Sequence, residues 1–184
     1  MRIVAGVAKG RVLLGPSSER VTRPTADRVR ETLFNILGQE LEPLDVLDLF
    51  AGTGALALEA ISRGAARAVV VERDREALSL IRMNAQALGF LPQLRVIGGP
   101  VEKALQTLGR EGARFPLVFA DPPYALEVLV PTLQALVSQQ LLDPGALVVF
   151  EHGKQELAPD EVAGLTREDQ RTFGATRVSF YRAA

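Results

Sequence analysis

From Asp45 to Glu151 the sequence alternates, five times over, between a short apolar run and, after each of the first four, a stretch with apolar residues at helical spacing. Nothing else in the chain restricts its fold as much. The runs Asp45–Phe50, Ala68–Glu72, Leu94–Gly98, Leu117–Asp121 and Ala146–Glu151 have the length of strands. They carry almost no polar interruption, as expected of strands buried on both faces. The intervening stretches predict helices from about Ala55 to Arg63, over Arg75–Leu88 with Gly89 as its stop, over Val101–Leu108, and over Leu126–Gln140 with Pro131 as a kink or restart. Parallel strands need crossovers of this size, and helices then cover both sides of the sheet. The expected architecture is therefore α/β, a Rossmann-like, doubly wound and mostly parallel sheet. Farther on, Thr176–Tyr181 alternates as a half-buried strand and is expected to pair near the sheet edge.

Upstream of the alternation, residues 2–14 swap apolar and polar positions around Gly6 and Gly10, which predicts a small β-hairpin. Gly15-Pro16-Ser17-Ser18 reads as a loop. Thr25–Leu37 follows as a helix, with Pro24 and Thr25 at its start and Gly38 at its stop. The expected organisation is a basic N-terminal hairpin extension, residues 1–22, ahead of one main domain, residues 23–184. Charge supports that division. Residues 1–30 hold seven basic side chains (Arg2, Lys9, Arg11, Arg20, Arg23, Arg28, Arg30) against Glu19 and Asp27, whereas the remainder holds fourteen basic and twenty acidic. A basic end on a nearly neutral chain suggests contact with a polyanion. With no cysteine and one histidine, the chain offers no thiol nucleophile, disulfide framework or zinc-type ligand set, and no metal is expected. It has no apolar run of membrane-spanning length and no signal-peptide pattern, so a cytoplasmic protein is expected. A monomer is expected as well.

Two segments carry chemistry. Asp48-Leu49-Phe50-Ala51-Gly52-Thr53-Gly54 lies where the first strand turns into its helix, and its glycines let the backbone curl and a ligand approach closely. Glu72 ends the second strand, 20 residues after Gly52, where a carboxylate can accept both hydroxyl protons of a ribose. Gly52-Thr53-Gly54-Ala55-Leu56-Ala57 also fits the dinucleotide fingerprint, so a nicotinamide dehydrogenase is one alternative. Asp48 counts against it, because a carboxylate is unhelpful beside a pyrophosphate. It suits S-adenosylmethionine, whose reactive sulfur is a sulfonium and whose amino-acid end is an ammonium. The second segment, Asp121-Pro122-Pro123-Tyr124, follows the fourth strand. Two prolines can continue neither a sheet ladder nor a helix interior, which leaves an extended turn. Asp121 and the Pro122 carbonyl can accept hydrogen bonds from an exocyclic amine while Tyr124 stacks on the ring.

Together, the glycine turn with Asp48, the acidic Glu72 and the Asp121–Tyr124 tetrapeptide resemble class I S-adenosylmethionine-dependent amino methyltransferases. A more specific likeness lies in Arg23-Pro24-Thr25-Ala26-Asp27-Arg28-Val29-Arg30-Glu31-Thr32-Leu33-Phe34-Asn35-Ile36-Leu37, preceded by Arg2-Ile3-Val4-Ala5-Gly6 and Lys9-Gly10-Arg11 and followed much later by Phe173-Gly174-Ala175-Thr176. This combination is similar to the RsmD-type enzymes, which methylate N2 of a guanine in small-subunit (16S) ribosomal RNA. The resemblance implies a methyltransferase domain over 23–184, with Asp121, Pro122 and Tyr124 as the catalytic group. It implies a cofactor site of Asp48, Phe50, Ala51, Gly52, Gly54, Glu72 and Arg73, and Arg2, Lys9, Arg11, Arg23 and Arg30 on RNA phosphates. Thr25 and Arg28 either face the cofactor's amino-acid end or join the phosphate contacts. The expected partner is 16S ribosomal RNA or a small-subunit assembly intermediate. One departure concerns the stretch Ile97-Gly98-Gly99-Pro100-Val101, which lacks the acidic or amide side chain that many relatives use to hold the adenine amine. The alternatives are a DNA adenine-N6 methyltransferase, which shares Asp-Pro-Pro-Tyr, and a non-catalytic RNA-binding assembly factor. His152, the lone histidine, is read as structural.

Overall fold

The computed structural model describes residues 1–16, 24–38 and 40–184, without the side chains of Pro24 and Thr25. The expectations for Ser17, Ser18, Arg20, Arg23 and the Thr25 side chain therefore lie outside the described residues. The helices are α1 (Pro24–Leu37), α2 (Ala55–Ser62), α3 (Arg75–Leu88), α4 (Val101–Arg110) and α5 (Leu129–Ser138). The strands are β1 (Asp45–Leu49), β2 (Arg67–Glu72), β3 (Leu94–Gly98), β4 (Phe115–Ala120), β5 (Leu142–Gly153), β6 (Glu161–Val162), β7 (Leu165–Phe173) and β8 (Thr176–Arg182). They form one sheet in the order β3-β2-β1-β4-β5-β8-β7-β6. The first five pair in parallel, and β8, β7 and β6 add on antiparallel.

The two-residue period of the strands sorts side chains into two cores. Val46, Val70, Leu117, Phe119 and Val149 pack on one face with residues of α1, α2 and α3. Leu47, Leu49, Val71, Val118 and Phe150 pack on the other with α4 and α5. Both layers are apolar, which is why the strand sequences are mostly apolar. Helix ends follow local chemistry. Asp74 accepts the Ala77 N–H at 2.9 Å and caps α3, and Gly89 closes it in the left-handed conformation at φ 75°. Such a cap contributes about 1 kcal/mol.

The end of the chain departs from the sequence expectation. Thr176–Tyr181 belongs to β8, which is largely buried and sits between β5 and β7 rather than near the edge. The outer strand β7, Leu-Thr-Arg-Glu-Asp-Gln-Arg-Thr-Phe, carries too few apolar residues to be read as a strand. The fourth crossover differs too. Tyr124–Leu126 forms a 3-10 turn and α5 begins only at Leu129, so Pro131 lies in its first turn, where a missing N–H costs nothing.

Residues 1–14 form a hairpin closed by a single bridge, Arg2 to Val12, with Ile3 N–H donating to the Arg11 carbonyl at 2.9 Å. Ile3, Ala8 and Leu13 are buried in the α1–α3 core. The Val7 N–H caps the Ser62 carbonyl at the end of α2 (2.8 Å), and Gly6, at φ 82°, passes so close to that carbonyl that a Cβ would lie 1.8 Å from its oxygen. Glu59 of α2 is wholly buried. It accepts the Val4 and Ala5 N–H groups at 2.9 and 3.0 Å and Arg63 Nε at 2.9 Å. Arg30 Nε lies 3.7 Å from its other oxygen, and the Arg63 guanidinium lies over the Phe34 ring at 4.6 Å.

Candidate active site

In this strand order the chain runs outward from β1 in both directions, through β2 to β3 and through β4 to β5. The carboxyl ends of β1 and β4 flank the resulting crevice, the usual ligand position in such sheets. Leu49 is in register with Ala120, and the Asp121 N–H donates to the Leu49 carbonyl at 3.3 Å. The two motifs noted in the sequence therefore meet at this point.

The chain leaves β1 through Phe50, which holds a left-handed φ of 58° although it is not glycine. Gly52 follows at φ 58°, and a Cβ there would meet nothing within 4 Å. Its left-handed conformation favours glycine, and its surface is open to a ligand. Glu72 fastens the turn: its Oε2 accepts the Gly52 N–H at 2.8 Å, and its Oε1 accepts the Arg73 and Asp74 N–H groups at 2.8 and 2.9 Å. Asp48 is buried, and its Oδ2 accepts the Ala57 N–H in the first turn of α2 at 3.2 Å. Its Oδ1 has no partner among the described residues. Burial pushes its carboxyl up to about 7, against the lowering effect of the Ala57 N–H and with a smaller upward push from Glu72.

Two adjoining cavities of about 480 and 510 Å³ open here and share Ala26, Phe50, Gly52, Asp121 and Glu151. The first contains Asp48, Asp27, Arg30 and Thr53, and Met1, Leu13, Gly15 and Pro16 border it. The second contains Glu72, Arg73, Gly99, Val101, Glu102, Pro122 and Tyr124. Carboxylates outnumber cationic groups in both. An open glycine floor, an unpartnered buried carboxyl oxygen and this excess of negative charge fit a cationic ligand such as S-adenosylmethionine better than a pyrophosphate.

Tyr124 is held at both ends. Its hydroxyl donates to Glu151 Oε1 at 2.6 Å and lies 2.6 Å from Thr176 Oγ1, while its ring packs against Gly153. Burial and the neighbouring Glu151 hold the phenol well above its usual range. Burial also raises the Glu151 carboxyl, partly offset by the Tyr124 hydroxyl.

The cofactor and catalytic candidates Asp48, Phe50, Ala51, Gly52, Glu72, Arg73, Asp121, Pro122 and Tyr124 all line this crevice. Gly54 instead packs behind it, 3.2 Å from Ile81 at its would-be Cβ. Arg28 lies outside both linings. Arg2, Lys9 and Arg11 are exposed; Arg2 and Arg11 donate to the Gly10 and Ala87 carbonyls. Arg30 corrects the expectation of a phosphate contact. It is buried, donates to the Arg2 carbonyl at 2.6 Å and to Asp27 at 3.2 Å, and forms part of the Glu59 cluster. His152 is buried and lines neither cavity, with Nε2 at 2.8 Å from Ser179 Oγ, and burial lowers its pKa. The sequence reading missed Glu151, although an acidic residue ending a parallel strand beside Asp121 is the same signal that singled out Glu72. It also missed Glu102 and Thr176.

The family model described as Conserved hypothetical protein 95 matches residues 1–182. The chain is 35% identical over 182 residues to Ribosomal RNA small subunit methyltransferase D of Escherichia coli (strain K12), covering 99% of this chain and 89% of that protein. The solved structure of yhhF from Escherichia coli matches with a TM-score of 0.87 at 33% identity, over 100% of this chain and 97% of that one. SMU.776, solved in complex with SAH, shares the fold at a TM-score of 0.71 and 14% identity, over 85% of this chain and 48% of its own.

Proposed function

The chain belongs to the family described as Conserved hypothetical protein 95, the RsmD family, and from that premise we propose that it methylates the exocyclic N2 amine of a guanine in small-subunit (16S) ribosomal RNA. The observation that carries this reading is the Asp121–Tyr124 turn standing directly beside the Asp48–Gly54 turn across a shared cavity. Amine-gripping groups and a cation-tolerant cofactor bed lie within one crevice. S-adenosylmethionine supplies a methyl group on a positively charged sulfur, and it would be held by Asp48, Phe50, Ala51, Gly52, Glu72 and Arg73.

The chain's own task is to make a poor nucleophile competent. The guanine amine delocalises its lone pair into the ring. Asp121 and the Pro122 carbonyl accept hydrogen bonds from its two N–H groups, which favours a pyramidal nitrogen with the lone pair directed out of the ring plane. Such near-attack positioning contributes about 7–11 kcal/mol in favourable cases. Tyr124, anchored by Glu151 and Thr176, stacks on the extruded base and offsets an unstacking cost of a few kcal/mol. Once the methyl is in place the cationic nitrogen gives one proton to the Asp121 carboxylate it is hydrogen-bonded to, so no strong base is required. The N-terminal hairpin packs into the core of the methyltransferase domain, and its Arg2, Lys9 and Arg11 touch the RNA phosphates.

Asp121→Ala tests the assignment. Methyl transfer from labelled cofactor to small-subunit RNA should fall at least roughly 100-fold, with N2-methylguanosine disappearing from the digested product. The rise in melting temperature given by S-adenosylhomocysteine should stay as in the wild type. Undiminished transfer would remove Asp121 from the mechanism.

A further inference from the structure

Glu151 is a polar residue of the crevice that has so far only an anchoring part in the chemistry. It ends the parallel portion of β5, one residue past the Ala120–Phe150 register pair, so it stands beside Asp121 at the next strand tip. Both carboxylates line both cavities. The Tyr124 hydroxyl occupies Glu151 Oε1 at 2.6 Å, and Thr176 fixes that hydroxyl from behind. The side chain is thus oriented, with one oxygen engaged.

We propose that Glu151 selects guanine, its second carboxylate oxygen accepting the N1–H that adjoins the 2-amino group. This rests on the reading of the protein as a guanine-N2 methyltransferase. The Watson–Crick edge of guanine presents two neighbouring donors, N1–H and the 2-amino group, and two neighbouring carboxylates match that pattern. Adenine presents an unprotonated N1, whose lone pair would face the Glu151 oxygen. A carboxylate withdrawn from water needs donors around it, and burial already raises this one. A base without N1–H would leave it short of a partner. Sites built to receive a hydrogen-bonding group reject analogues that lack it by large factors. Asp121 grips the reacting amine, and Glu151 reads the atom next to it.

2-Aminopurine separates the two functions, because it keeps the 2-amino group and lacks the N1 proton. The RNA fragment that the wild type methylates is prepared with guanine or 2-aminopurine at the methylated position, and kcat/KM is measured for both. The wild type should prefer guanine by roughly 100-fold or more. Glu151→Gln, whose amide can donate to an unprotonated N1, should shrink that preference at least tenfold. Tyr124→Phe removes the anchoring hydroxyl but keeps the carboxylate, so it should be slower on both substrates with the preference retained. A purely structural Glu151 would lower both rates together, and an unchanged ratio in Glu151→Gln overturns the proposal. So does a ratio that collapses equally in Tyr124→Phe. A wild type that forms no N2-methylguanosine overturns the functional reading itself and this inference with it.

Discussion

Asp48 carries a carboxyl group that the fold has taken out of water and supplied, among the described residues, with a single N–H donor. Its pKa of about 7 in the folded chain lies above the ordinary 3.8. Between those values the folded state retains a proton that the unfolded state has released. Stability therefore falls as pH rises from about 4 to about 7, then levels off, with a ceiling of roughly 4 kcal/mol at 1.36 kcal/mol per unit. Asp48→Asn keeps an oxygen for the Ala57 N–H and removes the titration. Its melting temperature should vary less across pH 4–8 than that of the wild type and exceed it above pH 7; parallel curves would assign the pH dependence to another group. The position of Asp48 is legible in the sequence, since it ends an apolar run before two glycines. Its protonation is not, because that depends on helices distant in the chain packing over it. Arg30 is the opposite case. Its charge suggested a surface role, yet Ala26, Val29, Arg30 and Leu33 stand at i, i+3, i+4 and i+7 on one stripe of α1, and all four line the cavity. Helical spacing would have placed this arginine on the inner face had it been weighed above charge.

At the level of elements, α1, α2 and the N-terminal hairpin are joined by a buried ion cluster. Glu59 faces Arg30 and Arg63 with almost no exposed side-chain surface on any of the three, and it also receives two backbone N–H groups from the hairpin. Breaking such a cluster from one side leaves uncompensated buried charge and costs about 3–5 kcal/mol. Glu59→Gln should therefore lower the free energy of unfolding by that amount, read in urea as an earlier midpoint with little change in slope. Removing Glu111, half of the exposed Arg95–Glu111 pair, should leave the urea midpoint almost unchanged, because solvent screens a pair at the surface. Equal losses would mean that the cluster has no special weight. The parallel half of the sheet is legible because its strands are mostly apolar and separated by helical stretches with their own punctuation: Gly89 ends α3 where the sequence places it. The antiparallel half is less so. Most side chains of β7 are polar and at least partly exposed, and a strand of that kind carries no apolar period to detect.

Over the whole molecule, the basic end lies against the crevice rather than apart from it, since Met1, Leu13, Gly15 and Pro16 border the first cavity. The charge asymmetry was visible in the sequence; the burial of Ile3, Ala8 and Leu13 in the main core was not, because two glycines and a short alternation look the same in a free hairpin and a docked one. This packing determines how RNA binding can be tested. Deleting the segment would open the core and expose Glu59, so a fall in binding would report unfolding. Point substitution avoids this. Lys9 and Arg11 are exposed, and the Arg11 guanidinium donates to the Ala87 carbonyl at 2.6 Å. Lys9→Ala with Arg11→Ala should weaken binding to small-subunit RNA and reduce the slope of log affinity against log salt by roughly 0.7–0.9 for each phosphate no longer neutralised. Stabilisation by S-adenosylhomocysteine should be unaltered, because neither side chain lines the crevice. Retention of the full salt slope in the double variant would move the RNA track off the hairpin and leave Arg28 on α1, outside both cavities, as the next place to look.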